Sequence, residues 1–186
     1  EEALAESRRE LERMSRTDPL TGLANRRQLD ERLTQALARL GRGGPPVALL
    51  YLDVDHFKQV NDSLGHAAGD ALLREFARRL RDSVRVTDLV ARPGGDEFVL
   101  LLEDPGPAGA ETVARKVLEA TQVPIEVEGT TLVVGTSIGI ACARRPVEPA
   151  SLMARADAAL YMAKRAGRNR YHLDAGDQPA DASDGI

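Results

Sequence analysis

Two short acidic segments dominate the chemistry this chain can offer: Asp53-Val54-Asp55, and Asp96-Glu97 directly after Gly94-Gly95. Carboxylates gathered without a cysteine or histidine cage present oxygen ligands, which suit hard cations such as Mg2+ or Mn2+. Such cations commonly share their coordination with substrate phosphates. If the two segments meet, their charges repel, and a shared cation offsets the repulsion. As a lone string, Gly-Gly-Asp-Glu equally describes a solvated hairpin tip, so the surrounding pattern has to decide between the readings.

These segments need elements to hold them. Residues 47–52 read as a buried strand ending at Asp53. Residues 89–92 and 98–103 read as strands flanking Gly94-Gly95, and a glycine pair makes a two-residue hairpin because positive φ costs glycine little. Asn25 with Gln28 resembles a capping box opening a helix with Leu29, Leu33, Leu37 and Leu40 on one face. After a glycine-containing loop, Leu72, Leu73, Phe76, Ala77 and Leu80 mark another helix, with Asp70 placed to cap it. Residues 108–120 look helical, 124–127 and 132–142 pair as strands across Glu128-Gly129, and a last helix buries Leu152, Ala156, Ala159, Leu160 and Ala163 before ending at Gly167. This order predicts an α/β fold with a central, mostly antiparallel sheet flanked by helices, rather than a doubly wound parallel sheet. Residues 1–16 form a further helix with Leu4, Leu11 and Met14 at heptad-like spacing, and a frayed surface helix and a dimerising stalk both fit it. A disordered tail is expected beyond Asp174.

The length of 186 residues suits one domain with a full core. A net charge of −4 argues against a nonspecific DNA or RNA binder, which draws on a basic surface. No apolar run approaches the roughly 18 residues of a membrane span. Cys142 is alone, so no disulfide framework or zinc cluster is available; a core-filling thiol in a reducing cytoplasm is expected. The chain opens at Glu1-Glu2 with neither Met nor a signal peptide, which leads to the expectation of a missing upstream domain.

The acidic segments have company. Asp18 to Arg27 reads DPLTGLANRR, Asp53 to Asp62 reads DVDHFKQVND, Gly65-His66 and Gly69-Asp70 follow, then Arg92-Pro93-Gly94-Gly95-Asp96-Glu97-Phe98, and residues 157–171 read DAALYMAKRAGRNRY. In this order and at these spacings the motifs resemble the GGDEF family of diguanylate cyclases, from Asp18 to Tyr171. The resemblance implies a palm-like nucleotidyl cyclase fold over 18–173, a signalling or stalk helix at 1–17 and a tail at 174–186. It also implies a reaction: two GTP molecules condense to cyclic di-GMP and release two pyrophosphates, each 3′-hydroxyl attacking the α-phosphate of the other nucleotide. By that resemblance Asp53, the Val54 carbonyl and Asp96 hold Mg2+ or Mn2+, with Glu97 as a further ligand or support. Asp96 is also a candidate base, although a metal-bound carboxylate is a weak one. Lys58 offsets phosphate charge. Asn61 and Asp70 read guanine, His66 touches substrate or fixes its loop, Gly94 and Gly95 let the nucleotide approach the backbone, and Lys164 and Arg168 hold the terminal phosphates.

Arg85-Val86-Thr87-Asp88 fits RxxD and resembles the family's inhibitory product site; arginine can fork onto guanine O6 and N7, while aspartate accepts from its N–H edge. As a bare string the pair is a surface ion pair of i,i+3 type. Arg115 lies in the helix that supplies a second arginine in some relatives. Pro93 stands where the family usually carries Tyr or Leu and removes a backbone donor before the hairpin. The resemblance further implies a homodimer, since one GTP per domain must react across an interface. The rival from another class is a silent module that binds cyclic di-GMP or GTP, and relaxed nucleotide choice is a third possibility.

Overall fold

The positions of apolar side chains explain nearly every element. The computed structural model describes residues 1–106 and 108–176. Helix α1 spans Glu2–Met14, α2 Arg26–Gly41, α3 Phe57–Leu64, α4 His66–Asp82, α5 Gly109–Thr121 and α6 Pro149–Arg165. Strands are β1 Val47–Val54, β2 Leu89–Gly94, β3 Glu97–Glu103, β4 Ile125–Val127, β5 Thr130–Leu132, β6 Thr136–Ala143 and β7 Tyr171–Leu173. The Met14 side chain, and the expected tail beyond Gly176, fall outside the described residues.

Five strands form one sheet in the order β2-β3-β1-β6-β7, antiparallel except for the β6–β7 pair. Central β1 is buried along its whole length apart from Asp53, as a strand covered on both faces requires. Leu50, Leu52, Phe98 and Leu100 pack under α4 and α5, while Leu49, Val99 and Leu101 pack under α2 and α6. The expected helical faces are the buried ones: Leu29, Leu33, Leu37 and Leu40 on α2, and Leu152, Ala156, Ala159, Leu160 and Ala163 on α6. The small residues of α6 have a purpose. A Cβ built on Gly139 of β6 would lie 2.1 Å from Leu160 N and 2.2 Å from Ala156 O, so the backbone of α6 rests directly on the strand.

Asn25 caps α2 as expected, its side chain accepting from Gln28 N at 3.0 Å. Four readings are corrected. Asp70 does not cap a helix: α4 begins four residues earlier, at His66 behind Gly65, and Asp70 is an exposed interior position. The loop ahead of it is helix α3, a short helix with no fully buried residue, whose Phe57 and Val60 pack partly buried against the core. Gly94 pairs with Glu97, so the hairpin turn is Gly95-Asp96 and only Gly95 takes positive φ (54°). The 132–142 run is split: β5 pairs with β4 in a separate ribbon, while β6 joins the main sheet beside β1. Strand β7, only three residues long, was not expected.

Pro93 sits where the β2–β3 register shifts between Ala91 and Gly94. Because β2 is an edge strand, the missing N–H takes no ladder bond from the sheet interior. The outer side of β2 is met by Ala24, whose N–H donates to Val90 O at 3.2 Å and whose carbonyl accepts from Arg92 N at 2.8 Å.

Candidate active site

Antiparallel pairing of β1 with β3 places the carboxyl end of one strand at the amino end of the other. Asp53 stands opposite Glu97, and Val54 N donates to Asp96 O at 3.3 Å. The two acidic segments therefore converge at one end of the sheet. Burial, reinforced by the charge of Asp53, pushes the Asp96 carboxyl above its ordinary range, with Lys164 opposing the shift. Asp53 Oδ2 is ion-paired with Lys164 Nζ, while Asp53 Oδ1 is buried with no hydrogen-bond partner among the described residues. Glu97 Oε2 accepts from the Tyr51 hydroxyl at 2.9 Å, and burial, ahead of that bond, pushes the phenol above its usual range.

Asp55 lies beside this group but is engaged differently. The chain leaves β1 at Val54, and the Asp55 carboxylate is committed to structure: Oδ1 accepts from Ser137 Oγ at 2.7 Å and Oδ2 from Asn169 N at 2.9 Å. Nothing in the DVD string distinguishes the two aspartates. Asp55 helps hold Arg168 and Asn169 in the left-handed region, at φ 63° and 48°. Such conformations are costly away from glycine and persist where surrounding contacts over-determine them.

A cavity of about 220 Å³ opens beside the acids, lined by Asp53, Val54, Lys58, Asp96, Lys164 and Arg168, among others. His56, at φ 58°, turns the chain from β1 into α3, so the amino end of that helix also lines the cavity. Unsatisfied N–H groups and the positive end of the helix dipole favour an anion there. Three cationic side chains, a helix start and a carboxylate pair thus surround one space. Gly94, Gly95 and Glu97 do not line this cavity, and a Cβ at either glycine would meet nothing within 4 Å. Among the described residues, no three His, Cys, Asp or Glu side chains form a ready cation cage. The donor set nevertheless fits a divalent cation: one Asp53 carboxylate oxygen is orphaned, and Asp53 disfavours the charge of the neighbouring Asp96.

Asn61, His66 and Asp70 do not line this cavity; they lie further along α3 and on α4. Asn61 follows Lys58 by three residues, hence on the same side of α3. Its Oδ1 is buried without a partner among the described residues, and a Cβ at Gly69 would lie only 1.8 Å from that atom. Gly69 therefore makes room for the Asn61 amide, with exposed Asp70 next to it and exposed His66 at the start of the same helix.

The sequence reading missed Arg92. Its Nη1 donates to Asp18 Oδ1 at 2.8 Å and its Nε to Gly95 O at 2.9 Å, so the segment joining α1 to α2 is linked to the acidic turn through one guanidinium. Both residues stood inside quoted motifs, but no local spacing connects positions so far apart.

At the other end of β2, Arg85 and Asp88 pair with each other. Asp88 Oδ2 accepts from Arg85 N at 3.0 Å and Oδ1 from Arg85 Nη2 at 3.2 Å, and Nη2 also donates to Glu103 O at 2.6 Å. They line a cavity of about 320 Å³ with Lys116 of α5. Arg115 points elsewhere, its Nη1 donating to the Tyr171 hydroxyl at 3.3 Å.

The family described as "Diguanylate cyclase, GGDEF domain" matches residues 15–170. The bifunctional diguanylate cyclase/cyclic di-GMP phosphodiesterase MucR of Pseudomonas aeruginosa is 45% identical over 170 residues, covering 91% of this chain and 25% of that protein. The chain thus spans about a quarter of the length of that curated relative. Among solved structures, the GGDEF domain of TpbB from P. aeruginosa superposes with a TM-score of 0.81 at 41% identity, covering 85% of this chain and 94% of that one. The coiled coil and GGDEF domain of DgcB from Caulobacter crescentus, solved in complex with c-di-GMP, gives a TM-score of 0.78 at 34% identity, covering 92% of each chain.

Proposed function

The chain belongs to the GGDEF-domain family of diguanylate cyclases, and on that premise we propose that it condenses two molecules of GTP into cyclic di-GMP, releasing two pyrophosphates. The observation that carries this reading is the meeting of Asp53 and Asp96 at one sheet end, with Asp53 Oδ1 buried and unpartnered among the described residues. Asp53, the Val54 carbonyl, Asp96 and Glu97 would hold Mg2+ or Mn2+. When bound, the cation would neutralise triphosphate charge and acidify a nearby hydroxyl.

The chain's own residues do the rest. Lys58, Lys164, Arg168 and the amino end of α3 bind and orient the triphosphate; Lys164 exchanges its Asp53 partner for phosphate. The Asn61 amide and the Asp70 carboxylate take the mixed donors and acceptors of guanine, with His66 alongside. In each half-reaction a 3′-oxygen forms a bond to the partner nucleotide's α-phosphorus, the α–β bridging bond breaks, and pyrophosphate departs. The 3′-hydroxyl proton leaves as the new bond forms, and Asp96, which lines the cavity, is the candidate base that receives it. Positioning and charge stabilisation supply most of the rate. One nucleotide per domain requires two copies face to face, and the exposed Leu4 and Leu11 of α1 support a role for that helix in bringing them together. Cyclic di-GMP binds back at Arg85 and Asp88 as an inhibitor; c-di-GMP is present in the DgcB structure, which supports product binding in this family.

Incubating the purified chain with GTP and Mg2+, and resolving nucleotides by chromatography, tests the assignment against a silent binding module. Cyclic di-GMP is expected from the wild type and not from Asp96→Asn. Its absence at high protein concentration would sink the assignment.

A further inference from the structure

Tyr51 is an unusual choice for the middle of a buried strand. Its neighbours on β1 are Leu49, Leu50 and Leu52, and the residue is 7% exposed. A phenol in such a place needs a partner for its hydroxyl, and it finds one in a residue of the acidic turn. In the β1–β3 register Tyr51 faces Val99 and Asp53 faces Glu97, so Tyr51 and Glu97 are diagonal neighbours on the sheet face that Asp53 shares. Diagonal pairs stand about 7–8 Å apart at their backbones, within reach of one aromatic and one long side chain. The hydroxyl donates to Glu97 Oε2 at 2.9 Å. Glu97 opens β3 immediately after the Gly95-Asp96 turn, where glycine freedom would otherwise leave its carboxylate many orientations.

We propose that Tyr51 is a positioning residue: by occupying Oε2 of Glu97, opposite Asp53 on the sheet, it fixes the carboxylate and leaves Oε1 to support the cation that Asp53 and Asp96 would hold. This rests on the reading of Glu97 as a cation support given above. Carboxylates that serve cations are themselves hydrogen-bonded, and loss of such an outer partner typically costs about 10–100-fold in metal affinity or activity. The hydroxyl is held by a rigid ring packed in the α2–α6 side of the core. A fixed donor of this kind specifies a carboxylate rotamer in a way that a water molecule or a long flexible side chain would not.

The test is the Mg2+ concentration needed for half-maximal binding of a fluorescent GTP analogue with a methylene bridge between its α and β phosphates. Tyr51→Phe, which keeps the ring and its packing, is expected to raise that concentration about tenfold, with analogue binding at saturating Mg2+ unchanged. Glu97→Gln is expected to raise it too, and adding Tyr51→Phe to Glu97→Gln to change it less than twofold, because the two groups act as one unit. If Tyr51→Phe matches the wild type, or if the two changes multiply independently, the hydroxyl only satisfies itself in the core and the proposal fails. A wild type that binds no analogue at any Mg2+ concentration overturns the cyclase reading as well, so the two failures are told apart.

Discussion

Asp96 is held where its own charge is unwelcome, between partial burial and the carboxylate of Asp53. A carboxyl raised above its ordinary value contributes stability that is fully present below that value and is lost as pH rises through the raised one. The metal-free protein therefore carries a penalty at neutral pH that Asp96→Asn removes. In EDTA at pH 7 the variant is expected to melt at a higher temperature than the wild type, the difference closing as pH falls below about 4, the ordinary aspartate range. Mg2+ is expected to raise the wild-type Tm and leave the variant's nearly unchanged. Cyclic di-GMP formation by the variant is expected to drop at least about 100-fold. Equal Tm values at pH 7 in EDTA would show that the site stores no such penalty. What makes a good active site here makes a worse fold, and the sequence already hints at it by gathering acids without a fixed countercharge. The neighbouring aspartate shows the limit of that hint. Asp53 and Asp55 look alike in the string, and only the pairing of Asp55 with Ser137 and Asn169, far along the chain, separates the proposed cation ligand from a structural carboxylate.

At the scale of elements, legibility followed apolar periodicity. Helices α2, α4, α5 and α6 and strands β1 and β3 bury regular faces and were readable; α3 spans only eight residues with none fully buried, and β7 is too short to show a period. The turn moved by one residue because Gly-Gly permits positive φ at either position, and the register shift beside Pro93 selects Gly95. Arg79 was hidden for a different reason: in the run ARRLRD it reads as one more solvated arginine. It is instead 9% exposed and donates to the carbonyls of Ala120, Val123 and Pro124, closing the end of α5 and the entry to β4. Arg79→Ala strands those carbonyls and is expected to destabilise by about 3 kcal/mol in urea unfolding. Gly139 makes the complementary prediction. In an ordinary strand alanine is preferred to glycine, but here its methyl would collide with the α6 backbone. Gly139→Ala is expected to cost about 1–3 kcal/mol or more. It should also depress cyclase activity beyond the loss of folded protein, since α6 carries Lys164 to Asp53. A variant with wild-type stability would mean that α6 can lift without strain.

For the whole molecule, the proposed reaction is incomplete in one copy. Leu4 and Leu11 of α1 are 80% and 67% exposed, apolar surface suited to a second α1. Activity per mole of protein is therefore expected to rise with protein concentration and then level off. Leu4→Glu with Leu11→Glu should shift that rise to higher concentration without lowering the Tm of the catalytic domain. Specific activity independent of concentration across the range where sedimentation reports monomer would contradict assembly as the limiting step. None of this was decided by the heptad spacing alone, because a frayed helix has the same pattern.

Under the proposed reaction, two copies must meet repeatedly and still let go. Open sheet margins would make each encounter dangerous, since unpaired strands template endless cross-strand stacking into fibrils. Both margins here are blunted: Ala24 occupies Val90 O and Arg92 N, Pro93 has no hydrogen to offer, and β7 is three residues long. At high protein concentration these blunted edges would favour reversible pairs over polymers.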